Sequence, residues 1–241
     1  MFIQINETLH FKTLNEQIRN AKDTEIILDH CIGQRYIGAG LSDKKMIING
    51  IPGNALGAYL NGSTIIVNGN AQDQTGDTMN DGDIVIHGSS GDATGYAMRG
   101  GRIFVRDNAG YRAGIHMKAY QDKFPVLVIG GTAGSFLGEY QAGGLIIVLG
   151  QNANGKPPMG YFCGTGMHGG KIFLRCTQAP ENLPEQIICR KALPEDLESI
   201  RKYIESYCNY FNSDAETLLK DTFYVLYPNS KNPYHQLYTY N

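Results

Sequence analysis

The sequence predicts an all-β fold: a single-stranded right-handed parallel β-helix, a solenoid of about eight rungs, with short helical caps at both ends. Three observations predict it. All 30 glycines lie between Gly33 and Gly170, leaving the flanks 1–32 and 171–241 with none. Eight apolar, β-branched triplets cross the same region, starting at Ile26, Met46, Ile65, Ile84, Ile103, Val126, Ile146 and Ile172, at intervals of 20, 19, 19, 19, 23, 20 and 26 residues. The triplets are apolar throughout, whereas antiparallel barrels and sandwiches require paired strands with stricter alternation. One short strand per repeat suits parallel strands stacked about 4.8 Å apart, joined by right-handed crossovers.

The rungs account for residues 25–176. Their corners read as glycine columns in register with the triplets. Gly57, Gly76, Gly95, Gly114, Gly138 and Gly160 form one column, and Gly62, Gly82, Gly101, Gly144 and Gly170 a second, just before the triplets. Glycine accepts a left-handed backbone at a crowded corner that other residues resist. Residues 1–24 read as an N-terminal cap, with Thr13-x-x-Glu16 as a capping box for a helix near 14–22. Residues 177–241 read as a helical, tyrosine-rich tail. There Leu197, Ile200, Ile204, Tyr207, Cys208 and Phe211 follow helical spacing behind Pro194, and Ser213-x-x-Glu216 starts a second short helix. A solenoid must cover its terminal rungs, which explains both flanks.

Composition excludes several functions. A net charge of −2 gives no electrostatic footprint for nucleic acid. No apolar run is long enough to span a membrane and no signal sequence follows Met1, so a cytoplasmic protein is expected. The five cysteines show no C-x-x-C spacing, which argues against a disulfide framework, a zinc knuckle or a local iron–sulfur motif.

Four groups of residues carry chemistry in other proteins, and each also has a plainer role. Gly164–Gly169 spells G-x-G-x-x-G, but a strand follows it where a dinucleotide site needs a helix; it reads as a corner. Asp73, Asp77, Asp81, Asp83 and Asp92 are dense enough for a metal, yet Asp is a common corner residue and the spacing is no calcium loop. In Asp29-His30-Cys31, adjacent strand residues point to opposite faces, so His30 and Cys31 cannot readily act as base and nucleophile. Arg99, Arg102, Arg106 and Arg112 read as a solvated edge, or as a patch for an acidic partner.

The corner segments Gly50-Ile51-Pro52-Gly53-Asn54, Gly76-Asp77-Thr78-Met79-Asn80-Asp81-Gly82, Gly95-Tyr96-Ala97-Met98-Arg99-Gly100-Gly101, Gly110–Lys118, Gly138–Gly144 and Gly164–Gly170 resemble the GXGXG domain, the C-terminal β-helix domain of the glutamate synthase large subunit. That domain stands alone in archaeal-type enzymes, and the resemblance extends weakly to Phe223–Pro228. It implies a structural subunit that holds two partners: a glutamine amidotransferase chain and a synthase chain carrying FMN and iron–sulfur clusters. Neither catalytic region matches residues here, so no catalytic residue and no cofactor is expected in this chain. The alternatives are a scaffold subunit of a related complex, of the N-methylglutamate synthase or formylmethanofuran dehydrogenase type, or a carbohydrate-active β-helix enzyme.

Alternation along each triplet also predicts a surface. With first and third residues inward, the outward column is Ile27, Ile47, Ile66, Val85, Phe104, Leu127, Ile147 and Phe173; with the phase reversed the outward columns are larger, so one flank carries an apolar ribbon either way. A helix over 197–211 is about 22 Å long, too short for a ribbon of roughly 40 Å. The remainder is expected to meet a partner chain, or to drive self-association without one. Phe104 and Leu127, with Arg99 and Arg102 beside them, are the expected partner surface.

Overall fold

A computed structural model describes residues 1–6 and 8–229; the end of the expected tail, with Tyr234, Tyr238 and Tyr240, lies outside the described residues. The fold is mostly β. Eleven strands form one open sheet: β1 (Phe2–Gln4), β2 (Glu25–Ile32), β3 (Lys45–Ile51), β4 (Asn61–Asn68), β5 (Asp81–Ile86), β6 (Arg102–Val105), β7 (Val126–Ile129), β8 (Ala142–Val148), β9 (Gly169–Arg175), β10 (Ile187–Lys191) and β11 (Phe223–Pro228). Their spatial order is β1 through β9, then β11, then β10. β1 to β9 are parallel in sequence order; β11 runs antiparallel between β9 and β10. Among the described residues, no helix is long and apolar enough to cross a membrane.

The triplets explain the sheet. Branched side chains fit a pleated surface, and alternation sends first and third residues to one face. Ile26 and Leu28, Ile84 and Ile86, Ile146 and Val148 all enter a single core that runs the length of the stack. A second parallel ladder, made of single bridges, links Ala71, Ser90, Ala109, Ala133 and Met159 on successive repeats.

Between this ladder and the next strand, each repeat makes a turn in which every second residue is left-handed, as at Arg112 (φ 56°), Gly114 (φ 69°) and His116 (φ 57°). The alternation points successive N–H groups to opposite neighbours. Ala55 donates to Asp73 O and Tyr59 to Asp77 O in the following repeat, while Gly57 donates to Ile37 O in the preceding one. These bonds pair the corner amides with neighbouring repeats, as buried backbone requires.

Gly57, Gly76, Gly95, Gly114 and Gly138 occupy the middle of this turn with φ between 63° and 73°, and Gly62, Gly82, Gly101, Gly144 and Gly170 precede the strands with φ from 76° to 114°. Gly160 does not share the first column. The left-handed glycine of its repeat is Gly164, while Gly160 sits where a Cβ would lie 2.6 Å from Ser135 N. The irregular 26-residue interval before β9 displaces the spacing there.

Three other expectations are corrected. The first helix, α1, spans Phe11–Asn20, and His10 rather than Thr13 caps it, its Nδ1 accepting from Lys12 N–H. The strand at 126 is shifted by one residue: Ile103 pairs with Leu127 and Phe104 with Val128. The longer loop after β6 brings Val126 opposite Arg102 and turns Leu127 inward. The tail is also more than helical. Its helices α2 (Pro194–Phe211) and α3 (Ala215–Leu219) are flanked by β10 and β11. β11 places Tyr224 and Leu226 in the stack's own core, closing its last repeat.

Candidate partner interface

The outward face of the sheet is a ribbon of single apolar residues in register: Ile27, Ile47, Ile66, Val85, Phe104, Val128, Ile147 and Phe173. The tail covers its upper part. α2 lays Ile200, Ile204, Tyr207 and Cys208 on Val85, Phe104, Val128, Ile147 and Phe173, and Leu218 and Leu219 of α3 join the same cluster.

Two anchors fix α2. At its start, Asp196 is only 5% exposed. Its carboxylate accepts Leu193 N–H at 2.9 Å and two bonds from Arg190 of β10, at 2.6 and 3.2 Å, with Lys171 of β9 at 3.7 Å. The Arg190 bonds hold the Asp196 carboxyl below its ordinary range. The sign follows: this contribution is complete above the unfolded pKa, near 3.9, and fades as pH falls through the lowered folded value. Asp196→Asn should therefore lower the thermal midpoint at pH 7, and the gap from wild type should narrow as pH falls below about 4, as read by melts across pH.

At its far end, Tyr207 donates its hydroxyl to Arg106 O at 3.0 Å. A Cβ on Gly130 would collide with that hydroxyl and that carbonyl, so glycine leaves the hydroxyl its path. Burial raises the Tyr207 phenol well above its ordinary range, which keeps it a donor. Phe211 closes the covered stretch edge-on against His87, 5.1 Å between ring centroids.

Beyond Val85 the cover thins: Ile66 still packs against this cluster at its edge, and the ribbon is open from Ile47 onward. Ile66, Ile47 and Ile27 are half-buried, and β1 extends the column with Phe2, which pairs opposite Ile27 and is 62% exposed. A cavity of about 580 Å³ opens here, lined by Met1, Phe2, Lys22, Asp23, Thr24, Glu25 and Ile27. One flank carries the Lys45–Glu25 ion pair at 2.9 Å. The other carries an amide ladder in which Asn68 donates to Asn49 at 2.8 Å and Asn49 to Asp29 at 3.2 Å. A narrow apolar stripe between polar rails, ending at an open sheet edge, can take another chain but has no reactive group.

The expected surface residues are placed otherwise. Phe104 is buried beneath α2, with the Tyr210 ring 5.3 Å away, and Leu127 is inside the stack. Arg102 is held bidentate by Asp83 at 2.6 and 2.7 Å, Arg106 by Asp107 at 3.0 Å, and Arg112 by Glu139 at 3.0 Å. Arg99 is exposed, 6.0 Å over the Tyr120 ring. The four arginines are mostly neutralised within the stack and do not form one cationic patch.

The remaining candidates have structural work. Asp73 accepts Asp92 N–H at 2.9 Å and Asp92 accepts Tyr111 N–H at 2.8 Å, each capping the next repeat. Asp81 bonds Gly82 N–H, and Asp77 takes the Thr78 hydroxyl. No group of three such side chains among the described residues could hold a metal. Cys31 points into the core, its thiol pushed up to about 11 by burial, while His30 faces outward against Asp29 at 2.9 Å. Gly164–Gly169 is the turn entering β9. Sequence reasoning missed the Asp196 and Tyr207 anchors; an acid two residues after Pro194 was the only local signal for the first.

Comparison with known proteins gives three findings. The GXGXG motif family model matches residues 3–229. An uncharacterized protein of Methanocaldococcus jannaschii is 46% identical over 244 residues, covering 96% of this chain and 94% of that protein. The crystal structure of the formyltransferase/hydrolase complex (FhcABCD) from Methylorubrum extorquens, in complex with methylofuran, contains a chain of like fold, with a TM-score of 0.64 and 22% identity over 84% of this chain and 72% of that one.

Proposed function

The chain belongs to the GXGXG motif family, and from that premise we propose that it is a non-catalytic structural subunit of a multi-chain enzyme complex. The carrying observation is the apolar ribbon, sealed by α2 over Val85 to Phe173 but open from Ile47 to Phe2. Soluble monomers rarely leave contiguous apolar stripes in water. We read the stacked repeats as a right-handed parallel β-helix; the in-register parallel strands and the second bridge ladder support this.

The structural likeness favours the related-complex reading, an assembly of the formyltransferase or formylmethanofuran dehydrogenase kind. The glutamate synthase-type reading is second and rests on the motif resemblance; in it the partners are the amidotransferase and the FMN/iron–sulfur synthase chains. In that second reading flavin and clusters belong to the partner chains.

The test is purification of the tagged chain from its native cells. We expect partner chains in fixed stoichiometry, and their loss with Ile27→Asp/Ile47→Asp at an unchanged melting temperature. The chain purified alone is expected to be colourless and to release no ammonia from glutamine. Stoichiometric flavin in the isolated chain, or equal partner recovery with the double variant, overturns the reading.

A further inference from the structure

A second surface lies along the left-handed turns, away from the ribbon. Bulky residues resist the left-handed region, yet Phe136 (φ 63°), Tyr140 (φ 52°) and Phe162 (φ 61°) adopt it here. The backbone does not require rings at these positions. The same columns hold Ala55, Ala93, Ala97 and Gly166 in other repeats, all with φ between 50° and 69°. Strain that the fold does not need points to a use.

Part of that use is stacking within the chain. Phe136 and Phe162 stack at 5.0 Å, and Arg112 lies 4.9 Å over Phe136. Stacking leaves the outer faces bare: Tyr161 is 76% exposed, and Tyr111 and Phe162 are each 57% exposed. Exposed Tyr, Phe and Arg together are the usual composition of a protein contact.

The ridge has two unlike halves. From Tyr111 to Phe162 it is bulky and carries Arg112. In the two preceding repeats it is shallow, with Gln74 and Ala93 at the left-handed positions and the exposed carboxylates of Asp73 and Asp92 beside them. Each carboxylate spends one oxygen on a backbone N–H, leaving the other outward. Arg112 donates Nε to Glu139, and among the described residues its terminal nitrogens make no hydrogen bond.

We propose that this ridge joins two copies of the chain across a twofold axis that crosses it between the repeats of Asp92 and Arg112. Such an axis reverses the repeat order, so each bulky half, where the Glu139-paired Arg112 keeps its terminal nitrogens free, meets the shallow acidic half of the other copy. Arg112 comes opposite Asp92, and Phe162 opposite the Ala55 step. An isologous contact needs this self-complementarity. The six repeats from Ala55 to Phe162 make five steps of about 4.8 Å, a contact roughly 24 Å long, the scale of a patch of about 800 Å² per partner.

Sedimentation equilibrium and light scattering on the full chain test it. The wild type should run at twice 26.5 kDa. Tyr161→Ser/Phe162→Gly should weaken the dimer at least about tenfold without lowering the melting temperature, because glycine suits the left-handed backbone at 162. Asp92→Asn keeps an acceptor for Tyr111 N–H but loses the charge; it should weaken the dimer severalfold and flatten its salt dependence. A wild type that stays monomeric at the highest concentration reached overturns the proposal. So does a dimer unchanged in both variants, which would place the contact elsewhere.

Discussion

Gly114→Val should lower the unfolding free energy by about 2–6 kcal/mol, from two penalties of about 1–3 kcal/mol each. Gly114 has φ +69°, where a β-branched residue is strained, and its new Cβ would collide with Ile146 Cδ1 and lie 2.9 Å from Met117 Sδ. Gly95→Val separates the penalties. Gly95 has φ +73°, but the nearest atoms to its Cβ position are 3.8 Å away. Only the backbone term remains there, and the loss should be about 1–3 kcal/mol. Urea unfolding of both variants measures the difference. Equal losses would mean that the stack relaxes around Ile146; two unchanged melts would refute the requirement for a left-handed corner.

The second large effect is expected at α2. Ile204 is fully buried in the cluster that holds Phe104, Val128 and Ile147. Ile204→Asp places an unpaired carboxylate there and should cost about 4 kcal/mol at pH 7. Because α2 is the cover of the ribbon, the loss should appear as release of the tail: faster proteolytic cleavage between β10 and β11, and dye binding to the bared sheet. Ile204→Leu keeps the volume and should cost less than about 1.5 kcal/mol. A melt of Ile204→Asp within a degree or two of wild type would show that α2 does not seal this face.

These two positions divide what was legible from what was not. The repeat at Gly114 could be read directly, because in this fold each residue's partners lie about one repeat away. Triplets and glycines then carry the pairing in their spacing. The reading failed where the period breaks. The longer loop after β6 shifted β7 by one residue and carried Leu127 from the expected surface into the core. The extended interval before β9 put Gly160 in the wrong column.

The sequence by itself determined the period, the eight triplet strands, the left-handed corners and the apolar stripe of α2, since each is written in residues a few positions or one repeat apart. Only the tertiary structure decided where that stripe lands. The contact that fixes its far end, Tyr207 to Arg106, joins residues 101 apart, and the strand that closes the stack, β11, enters antiparallel from beyond both tail helices. No local spacing encodes such a docking. It arises from the shape of the finished ribbon, which is why the sequence foretold an apolar face but the fold alone shows that α2 seals it from Val85 to Phe173 and leaves Ile47, Ile27 and Phe2 open.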